Sequence, residues 1–309
     1  MKKRILIIGV GGLTGSKLAK IGKSDYEIFG TYNFRKIESS DFTGIKLDIS
    51  DFKKIKHVLE QVNPDIVINT AGINNVDYCG KFPIEASKIN IESIKEICSI
   101  TKEAKIKFVQ LSSDSVFDGT KKLPYIETDD VKSINFYGKT KIESEKIVLE
   151  NPNNIVIRAS VLYGHLENEL AKIESSSKKS INFGQWLINK LVLNENVRII
   201  TDEFSSPIIA DDFARSILHI IKHNKIGIFH SAPKLQITRY DFSIKIAKTL
   251  GLPTELIQPV SNKELGRDVV TGNNKCLNSE KMENVLDYKF LTLDESLNLL
   301  KNQFNIENN

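Results

Sequence analysis

Short apolar runs alternate with longer amphipathic stretches over the first half of the chain. Six runs rich in β-branched residues predict strands at residues 5–8, 27–31, 44–47, 66–69, 107–112 and 155–158. The stretches between them predict helices at residues 14–21, 52–62, 84–100 and 136–150. This alternation is typical of a parallel sheet covered by helices on both faces. The pattern therefore predicts an α/β protein with a doubly wound parallel sheet of the Rossmann type.

The alternation weakens after residue 164. Residues 165–180 are polar and show no period, and shorter helices and strands are predicted at residues 183–193, 197–200, 227–231 and 238–250. A helix that begins at Asp211 and the strand after it are expected to return to the main sheet. We expect a dinucleotide-binding domain of residues 1–164 plus about 211–231. Residues 165–210 and 232–309 are expected to form a smaller, mixed α/β substrate domain.

Composition excludes several classes of protein. The 309 residues carry 43 basic and 39 acidic side chains spread along the chain, so no basic stripe indicates nucleic-acid binding. Three cysteines without a CxxC pair argue against a disulfide framework, and His219 and His223 lack a third ligand, so we expect no metal. The chain has no apolar run of about 18 residues. We expect a cytoplasmic protein that contacts no membrane.

A glycine-rich turn follows the first predicted strand. The sequence GVGGLTG, residues 9–15, joins that strand to the first predicted helix. Gly9 permits a sharp turn, Gly12 lets the backbone approach a pyrophosphate, and Gly15 lets the helix pack closely on the strand. Free N–H groups at the helix N-terminus favour an anion. The turn therefore predicts a dinucleotide site.

The end of the second strand bears on which dinucleotide binds. An acidic residue at this place would hold the ribose diol of NAD. The chain instead reads Asn33-Phe34-Arg35-Lys36. Arg35, and with it Lys36, could pair with a 2′-phosphate through charge-assisted hydrogen bonds. We therefore expect NADP(H) in preference to NAD(H).

Two other strand ends carry candidate binding residues. Thr70, Ala71 and Gly72 follow the fourth strand, at the edge where an open parallel sheet holds its ligands. Asp48 follows the third strand. It is placed either to meet the adenine edge or, with Asp51, to cap the next helix.

Tyr137 and Lys141 are the strongest candidates for chemistry. They are four residues apart, so on a helix they share one face. A phenol with a pKa of about 10 is a poor acid–base group at neutral pH, and a neighbouring ammonium is expected to lower that pKa. Ser113, at the end of a sheet strand, is expected to bind the substrate oxygen and orient it for proton transfer. With the glycine turn, this set predicts hydride chemistry at a carbonyl or alcohol.

These features together resemble the extended short-chain dehydrogenase/reductase family over nearly the whole chain. More closely, LSSDSVFDGT at residues 111–120, PY at 124–125, ET at 127–128 and YGKTK at 137–141 resemble the dTDP-4-dehydrorhamnose reductase branch. The regulatory β subunit of methionine adenosyltransferase belongs to that same branch. The resemblance implies that Tyr137 is the general acid, Lys141 its pKa partner and Ser113 the third catalytic residue.

The motifs and the resemblance together give candidate binding residues. Those for the cofactor are Gly9, Gly12, Leu13, Gly15, Arg35, Asp48, Ile49, Thr70, Ala71, Gly72, Asn90, Tyr137 and Lys141. Those for the substrate are Asn74, Asp77, Ser113, Asp114 and Val161. Residues 158–164, Ser206-Pro207 and Asp211-Asp212 match substrate-side motifs of the branch. A homodimer is a further expectation from the family.

The chain also departs from the branch. Ser115 stands where the family usually has tyrosine, Val161 where rhamnose-forming reductases have tryptophan, and Arg267-Asp268-Val269 where they have an Arg-Pro motif. The first hypothesis is an NADP(H)-dependent reductase of a 4-keto group on a nucleotide-linked deoxysugar. The alternative is a catalytically silent, dinucleotide-loaded regulatory subunit of another enzyme, such as methionine adenosyltransferase. A dehydratase is disfavoured because Asp114 is followed by Ser115 and not by a second acid.

Overall fold

The computed structural model describes residues 2–34, 36–166, 182–266 and 272–307. The predicted cofactor residue Arg35, most of the polar segment 165–180 and residues 267–269 lie outside the described residues.

The strands are β1 Arg4–Ile8, β2 Glu27–Tyr32, β3 Thr43–Lys46, β4 Ile66–Asn69, β5 Lys107–Ser113, β6 Ile155–Ala159, β7 Leu162–Tyr163, β8 Val197–Ile200, β9 Phe204–Ser205, β10 Ile208–Ile209, β11 Gly227–Ser231, β12 Ile237–Thr238 and β13 Ile257–Val260. The helices are α1 Leu13–Gly22, α2 Phe52–Val62, α3 Val76–Lys81, α4 Pro83–Ser87, α5 Ser93–Glu103, α6 Phe136–Leu149, α7 Phe183–Val192, α8 Ala210–Lys222, α9 Arg239–Leu250, α10 Asn262–Leu265, α11 Glu280–Leu286 and α12 Leu293–Glu307. None of these helices is long and apolar enough to cross a membrane.

Seven strands form one parallel sheet in the order β11-β6-β5-β4-β1-β2-β3. The predicted doubly wound fold is confirmed, and β11 pairs with β6 as expected for a strand that returns to the sheet. Chain order reverses between β1 and β4, since β1 lies between β2 and β4. In such sheets the crevice at the carboxyl ends of these two strands holds the ligand.

Both faces of the sheet are buried. Along β1, Ile5 and Ile7 join a cluster with α1 and α8 on one face, while Leu6 and Ile8 join a cluster with α2 and α5 on the other. This period of two distributes the apolar residues of each strand between two helical layers. A run of consecutive apolar residues is therefore what a strand buried on both sides requires.

One predicted helix is interrupted. Residues 84–100, expected to be a single helix, fall in α4, a π-helical turn at Lys88–Glu92, and α5. Residues 76–81, for which the pattern predicted no helix, form α3, and the Asn75 side chain accepts a hydrogen bond from its first turn. The π turn carries the buried Asn90. Such turns are frequent at functional sites.

The later elements share another apolar core. The parallel pair β8 and β13 packs with α7, α9 and α12 around buried residues that include Leu187, Phe242 and Leu297. Tyr163 joins this core and donates a hydrogen bond from its hydroxyl to Ser296 Oγ at 2.6 Å. The chain after β6 is thereby tied to α12 at the carboxyl side of the sheet.

Candidate functional site

The glycine turn has the geometry that the sequence predicted. Gly9 has φ +89°, and a Cβ there would lie 2.9 Å from Thr70 Oγ1. A Cβ on Gly15 would lie 2.4 Å from the Gly9 carbonyl oxygen, so only glycine lets α1 approach the turn this closely. At Gly12 the nearest atom to such a Cβ is 3.5 Å away, and Gly12 begins α1 without a side-chain cap. The N-terminus of α1 therefore offers N–H groups and open space to an anion, which fits a pyrophosphate.

Two threonines hold this turn in place. Thr31 Oγ1 accepts from the Gly9 N–H at 3.2 Å. The Thr70 hydroxyl lies 2.8 Å from the Ile8 carbonyl oxygen and 3.0 Å from that of Gly9, both within donating distance. Thr70 thus acts here by bracing the turn. Sequence reasoning missed Thr31, although its position at the end of β2, beside β1, could have indicated it.

The loop after β2 covers the glycine turn. A Cβ on Gly11 would lie 2.6 Å from Ile37 Cδ1. The exposed Lys36 pairs with Glu38 at 2.9 Å, so one basic side chain of the predicted 2′-phosphate site already has an acidic neighbour.

In the structure Asp51 caps α2, and Asp48 forms a local turn. Asp51 caps α2 by accepting from the Lys54 N–H, whereas Asp48 accepts from the Ser50 N–H at 2.9 Å in a local turn. Ile49, next to it, is buried.

Asn90 links the end of β4 to the candidate catalytic helix. Its Oδ1 accepts from the Ile73 N–H at 2.9 Å, and its Nδ2 donates to the Ile73 carbonyl at 2.9 Å and to Thr140 Oγ1 at 3.1 Å. A Cβ on Gly72 would lie 3.1 Å from Asn90 Oδ1 and 3.8 Å from Lys141 Nζ. The structure therefore brings Gly72, Asn90 and Lys141 together.

Ser113 lies beside Tyr137 at the carboxyl end of β5 and is one of the groups that lower the pKa of Tyr137. The Ser113 hydroxyl donates to Asp114 Oδ1 at 2.9 Å and accepts from the Ser115 N–H at 3.2 Å. The structure therefore brings Tyr137, Ser113 and Asp114 together.

Lys141 lies on the same helix, one turn after Tyr137. Its Nζ donates to the Leu111 carbonyl at 3.1 Å and lies 5.8 Å from the centre of the Tyr137 ring. Burial lowers the pKa of Lys141 to about 8.

The pKa of Tyr137 moves upward, opposite to the direction expected from its neighbour Lys141. Burial raises this pKa, and Ser113 offsets only part of the rise. Taking the phenolate out of water costs more than the surrounding groups return. The protonated phenol is accordingly the stable form, which suits a group that donates a proton.

Asp114 is surrounded by serine hydroxyls. Besides Ser113, its carboxyl accepts from Ser115 at 3.3 Å and from Ser160 at 2.9 Å. The Ser206 N–H donates to Ser160 Oγ at 3.2 Å, so one residue of the predicted later motif reaches the site. Burial raises the pKa of Asp114.

The remaining predicted substrate residues are placed less directly. Val161 follows Ser160 and accepts from the Ile208 N–H at 3.0 Å. Asn74 and Asp77 are exposed. Cys79, on the same helix as Asp77, packs in a cluster with Tyr137, so α3 borders the site.

Asp211 and Asp212, from the same predicted motif, are engaged elsewhere. Asp211 pairs with Lys17 of α1 at 3.6 Å. Asp212 accepts from the Tyr288 hydroxyl at 2.6 Å and from the Leu291 N–H at 2.9 Å. These contacts brace α8 against its neighbours because the first turn of that helix faces α1 and the C-terminal segment.

Comparisons with known proteins identify the family of the chain. Residues 2–305 match the family described as RmlD substrate binding domain. A probable low-salt glycan biosynthesis reductase, Agl14 of Haloferax volcanii, is 27% identical over 300 residues, which cover 96% of this chain and 97% of that protein. Methionine adenosyltransferase 2 subunit beta of Bos taurus is 27% identical over 273 residues, covering 84% of this chain and 76% of that protein.

Solved structures show the same fold. A dTDP-4-dehydrorhamnose reductase from Bacillus anthracis, solved in complex with NADP, superposes with a TM-score of 0.85 at 23% identity, covering 98% of this chain and 100% of that chain. The resemblance drawn from the motifs is confirmed, and the chain belongs to the RmlD substrate binding domain family.

Proposed function

We propose that this protein is an NADP(H)-dependent reductase that acts on the 4-keto group of a nucleotide-linked deoxysugar. The observation that carries the proposal is the grouping of Ser113, Tyr137 and Lys141, in which Lys141 Nζ lies 5.8 Å from the centre of the Tyr137 ring. It lies at the carboxyl end of β5, on the edge of the sheet where the glycine turn offers an anion site. The name of the Bacillus anthracis neighbour supports the substrate class.

The protein's side chains would supply proton transfer and orientation. Bound NADPH supplies a hydride to the carbonyl carbon. Tyr137 donates its proton to the carbonyl oxygen, and the Lys141 ammonium stabilises the phenolate that remains. Ser113 would bind the same carbonyl oxygen and orient it for the transfer. The buried surroundings strengthen each of these interactions, since charge is poorly screened there.

The preference for NADP(H) is part of the proposal. It is supported by the lack of a carboxylate at residues 31–36 and by the NADP bound to the Bacillus anthracis structure. Arg35→Ala should weaken NADPH binding and leave NADH binding nearly unchanged, as measured by cofactor fluorescence titration. Lys95→Ala, at an exposed lysine of α5, is the matched control. Equal losses for NADPH and NADH in the Arg35 variant would contradict a 2′-phosphate contact.

The activity is tested by NADPH oxidation with dTDP-4-keto-6-deoxy-D-glucose as the probe. Tyr137→Phe should lower turnover about 10²–10⁴-fold if the phenol is the acid. Tyr78→Phe removes a hydroxyl on neighbouring α3 that is bonded to Glu85, and it should retain turnover. Undiminished turnover in the Tyr137 variant would rule out the assigned acid.

A second candidate is a regulatory subunit without turnover. The similarity to methionine adenosyltransferase 2 subunit beta favours it. Affinity capture from native extract, combined with the turnover assay, separates the two. A stoichiometric enzyme partner and no NADPH oxidation would support the regulatory subunit. Oxidation by the purified chain alone would exclude it.

A further inference from the structure

The Asp114 carboxyl lies at the centre of a buried hydrogen-bond network and is only 7% exposed. Its Oδ1 lies 2.9 Å from Ser113 Oγ and 3.3 Å from Ser115 Oγ. Its Oδ2 lies 2.9 Å from Ser160 Oγ. These three partners are neutral hydroxyls, each of which can donate to a carboxyl or accept from it. The direction of each hydrogen bond therefore depends on the charge of Asp114.

The surroundings of Asp114 favour the neutral carboxyl. Burial is the largest influence on the pKa of Asp114 and raises it; Lys275 lowers this pKa and Glu203 raises it. Tyr137 and Cys276 are the other titratable groups that interact with Asp114. A carboxyl that contacts hydroxyls in a buried place is more stable protonated, because its charged form loses the solvation of water.

Ser160 determines which oxygen of a neutral Asp114 carries the proton. The Ser206 N–H donates to Ser160 Oγ at 3.2 Å. The proton of this buried hydroxyl needs an acceptor of its own, and Asp114 Oδ2 supplies one at 2.9 Å. Because Oδ2 accepts, the carboxyl proton lies on Oδ1. Oδ1 is the oxygen that contacts Ser113.

Ser113 is the hydroxyl best placed to accept from Asp114. It is half-buried at the carboxyl end of β5, whereas Ser115 and Ser160 are buried and need Asp114 as the acceptor for their own protons. Ser113 Oγ already accepts from the Ser115 N–H at 3.2 Å. A hydrogen bond from Asp114 Oδ1 would use its second lone pair, which leaves the Ser113 proton for a substrate.

An ionised Asp114 would act in the opposite sense. A carboxylate is only an acceptor, and hydrogen bonds to a charged group are about twice as strong as those between neutral groups. It would keep the Ser113 hydroxyl donating to Oδ1, as in the free protein, and withhold that proton from a carbonyl oxygen. A neutral carboxyl lets the hydrogen bond between Ser113 and Asp114 reverse when a carbonyl oxygen arrives.

We propose that Asp114 is a positioning residue that acts as a neutral carboxyl: its Oδ1 proton is donated to Ser113 Oγ and directs the Ser113 hydroxyl proton to the carbonyl oxygen of the substrate. Asp114 keeps its own proton throughout, and Tyr137 remains the proton donor. The inference rests on the proposed function for the role of Ser113 in catalysis. The protonation of Asp114 and the role of Ser160 concern the protein alone.

Infrared spectroscopy of the full chain tests the protonation of Asp114 without substrate. The carbonyl stretch of a protonated carboxyl should be present in the wild type at pH 7 and missing in Asp114→Asn. Asp130→Asn, at an exposed aspartate, is the matched control and should keep the band. A wild type without this band at pH 7 would overturn the proposal.

The frequency of the same band tests the role of Ser160. Ser160→Ala should raise the frequency, because Asp114 Oδ2 loses the hydroxyl that donates to it. Ser112→Ala is the matched control, since the buried Ser112 hydroxyl has no hydrogen-bond partner among the described residues. The same frequency in wild type and Ser160→Ala would contradict a proton fixed on Oδ1.

Turnover separates a neutral donor from a charged acceptor. An asparagine at position 114 is neutral, and its Nδ2 can donate to Ser113 while its oxygen accepts from Ser160. Asp114→Asn should lower kcat for NADPH oxidation with the same 4-keto sugar less than about tenfold. Asp114→Ala cannot donate and should lower kcat by about 10²-fold or more, with a smaller change in KM. A loss in the Asn variant as large as in the Ala variant would contradict the proposal.

The measurements also separate this inference from the proposed function. If Asp114→Ala does not fold, the infrared band and the kcat of Asp114→Asn still decide, because a loss of about 10²-fold in the Asn variant alone contradicts a neutral donor. A wild-type band at pH 7 without any turnover would contradict the proposed function and leave the protonation of Asp114 standing.

Discussion

Arg158 and Glu145 form a two-point ion pair, with Nε to Oε1 at 2.9 Å and Nη2 to Oε2 at 2.7 Å. Their side chains are only 2% and 4% exposed. Glu145 lies one turn beyond Lys141 on α6, so the pair fastens the candidate catalytic helix to β6. The sequence had placed Arg158 in a segment leading to the sugar pocket, but its guanidinium is used in this anchor.

His230 completes the anchor without adding charge. Its Nδ1 lies 3.1 Å from the carbonyl oxygens of Tyr125 and Asn278, so the ring proton belongs on Nδ1. Nε2 then accepts from Arg158 Nη1 at 3.3 Å. Burial and the neighbouring guanidinium lower the pKa of His230 to about 3, which keeps the ring neutral.

Removing one member of the ion pair should be costly. Arg158→Met leaves the Glu145 carboxylate buried and unpaired, and we expect the free energy of unfolding to fall by about 3–5 kcal/mol. Urea unfolding measures it. The double variant Arg158→Met with Glu145→Leu buries no charge and should recover most of the loss. Equal stability of the single and double variants would show that the pair is not the anchor.

Asn90 should contribute to both stability and turnover. Asn90→Ala removes three hydrogen bonds and leaves the buried Ile73 backbone groups without these partners, a cost of about 1–3 kcal/mol or more. Turnover should also fall, because Gly72 and Lys141 lose a shared support. Thr140→Val is the matched control: it removes the third of these bonds and the bond from Thr140 Oγ1 to the Tyr137 carbonyl, and it leaves both contacts to Ile73 in place. If the two variants lose the same stability and rate, the contacts to Ile73 carry no weight.

Local features of the site could be predicted from the sequence. The glycine turn and the Tyr137–Lys141 pair depend on residues close together in the chain, where strand and helix periods fix which side chains share a face. The fold could be predicted from the sequence for the same reason. The spacing across residues 84–100 is helical throughout, so it gave no sign of the π turn that lets Asn90 reach Ile73.

The charges around Asp114 depend on tertiary structure. Lys275 and Glu203 lie far from Asp114 in the sequence, and the pairing of Asn274 with Phe204 of β9 brings them close enough to act on the pKa of Asp114. The predicted direction of the Tyr137 pKa was wrong for a related reason. Its neighbour Lys141 is visible in the sequence, but the extent of burial, which dominates, is not.

The glycine turn gives a test that separates folding from cofactor binding. A methyl group on Gly15 would overlap the Gly9 carbonyl oxygen and Val10 Cα, so Gly15→Ala should destabilise the protein by about 1–3 kcal/mol. Gly12→Ala meets no atom closer than 3.5 Å and should change stability by less than about 0.5 kcal/mol. It should nevertheless weaken NADPH binding, because the methyl group occupies the approach to the helix N-terminus. Thermal unfolding and fluorescence titration measure the two effects, and NADPH affinity unchanged in Gly12→Ala would exclude this turn as the pyrophosphate site.

Lys141 should make stability and turnover respond to pH in opposite directions. Its pKa falls from 10.5 to about 8 on burial, so between these values the unfolded chain binds more protons than the folded one. The quantity to follow is the free energy of unfolding of the wild type minus that of Lys141→Met. This difference should rise as pH increases from 8 to 10.5 and stay flat below 8. Lys139→Met, at an exposed lysine of the same helix, is the matched control in urea unfolding across that range. Turnover should fall over the same window, because the deprotonated Lys141 no longer stabilises the Tyr137 phenolate. If the free energies of unfolding of the wild type and of Lys141→Met changed in parallel with pH, they would contradict the lowered pKa of the buried Lys141.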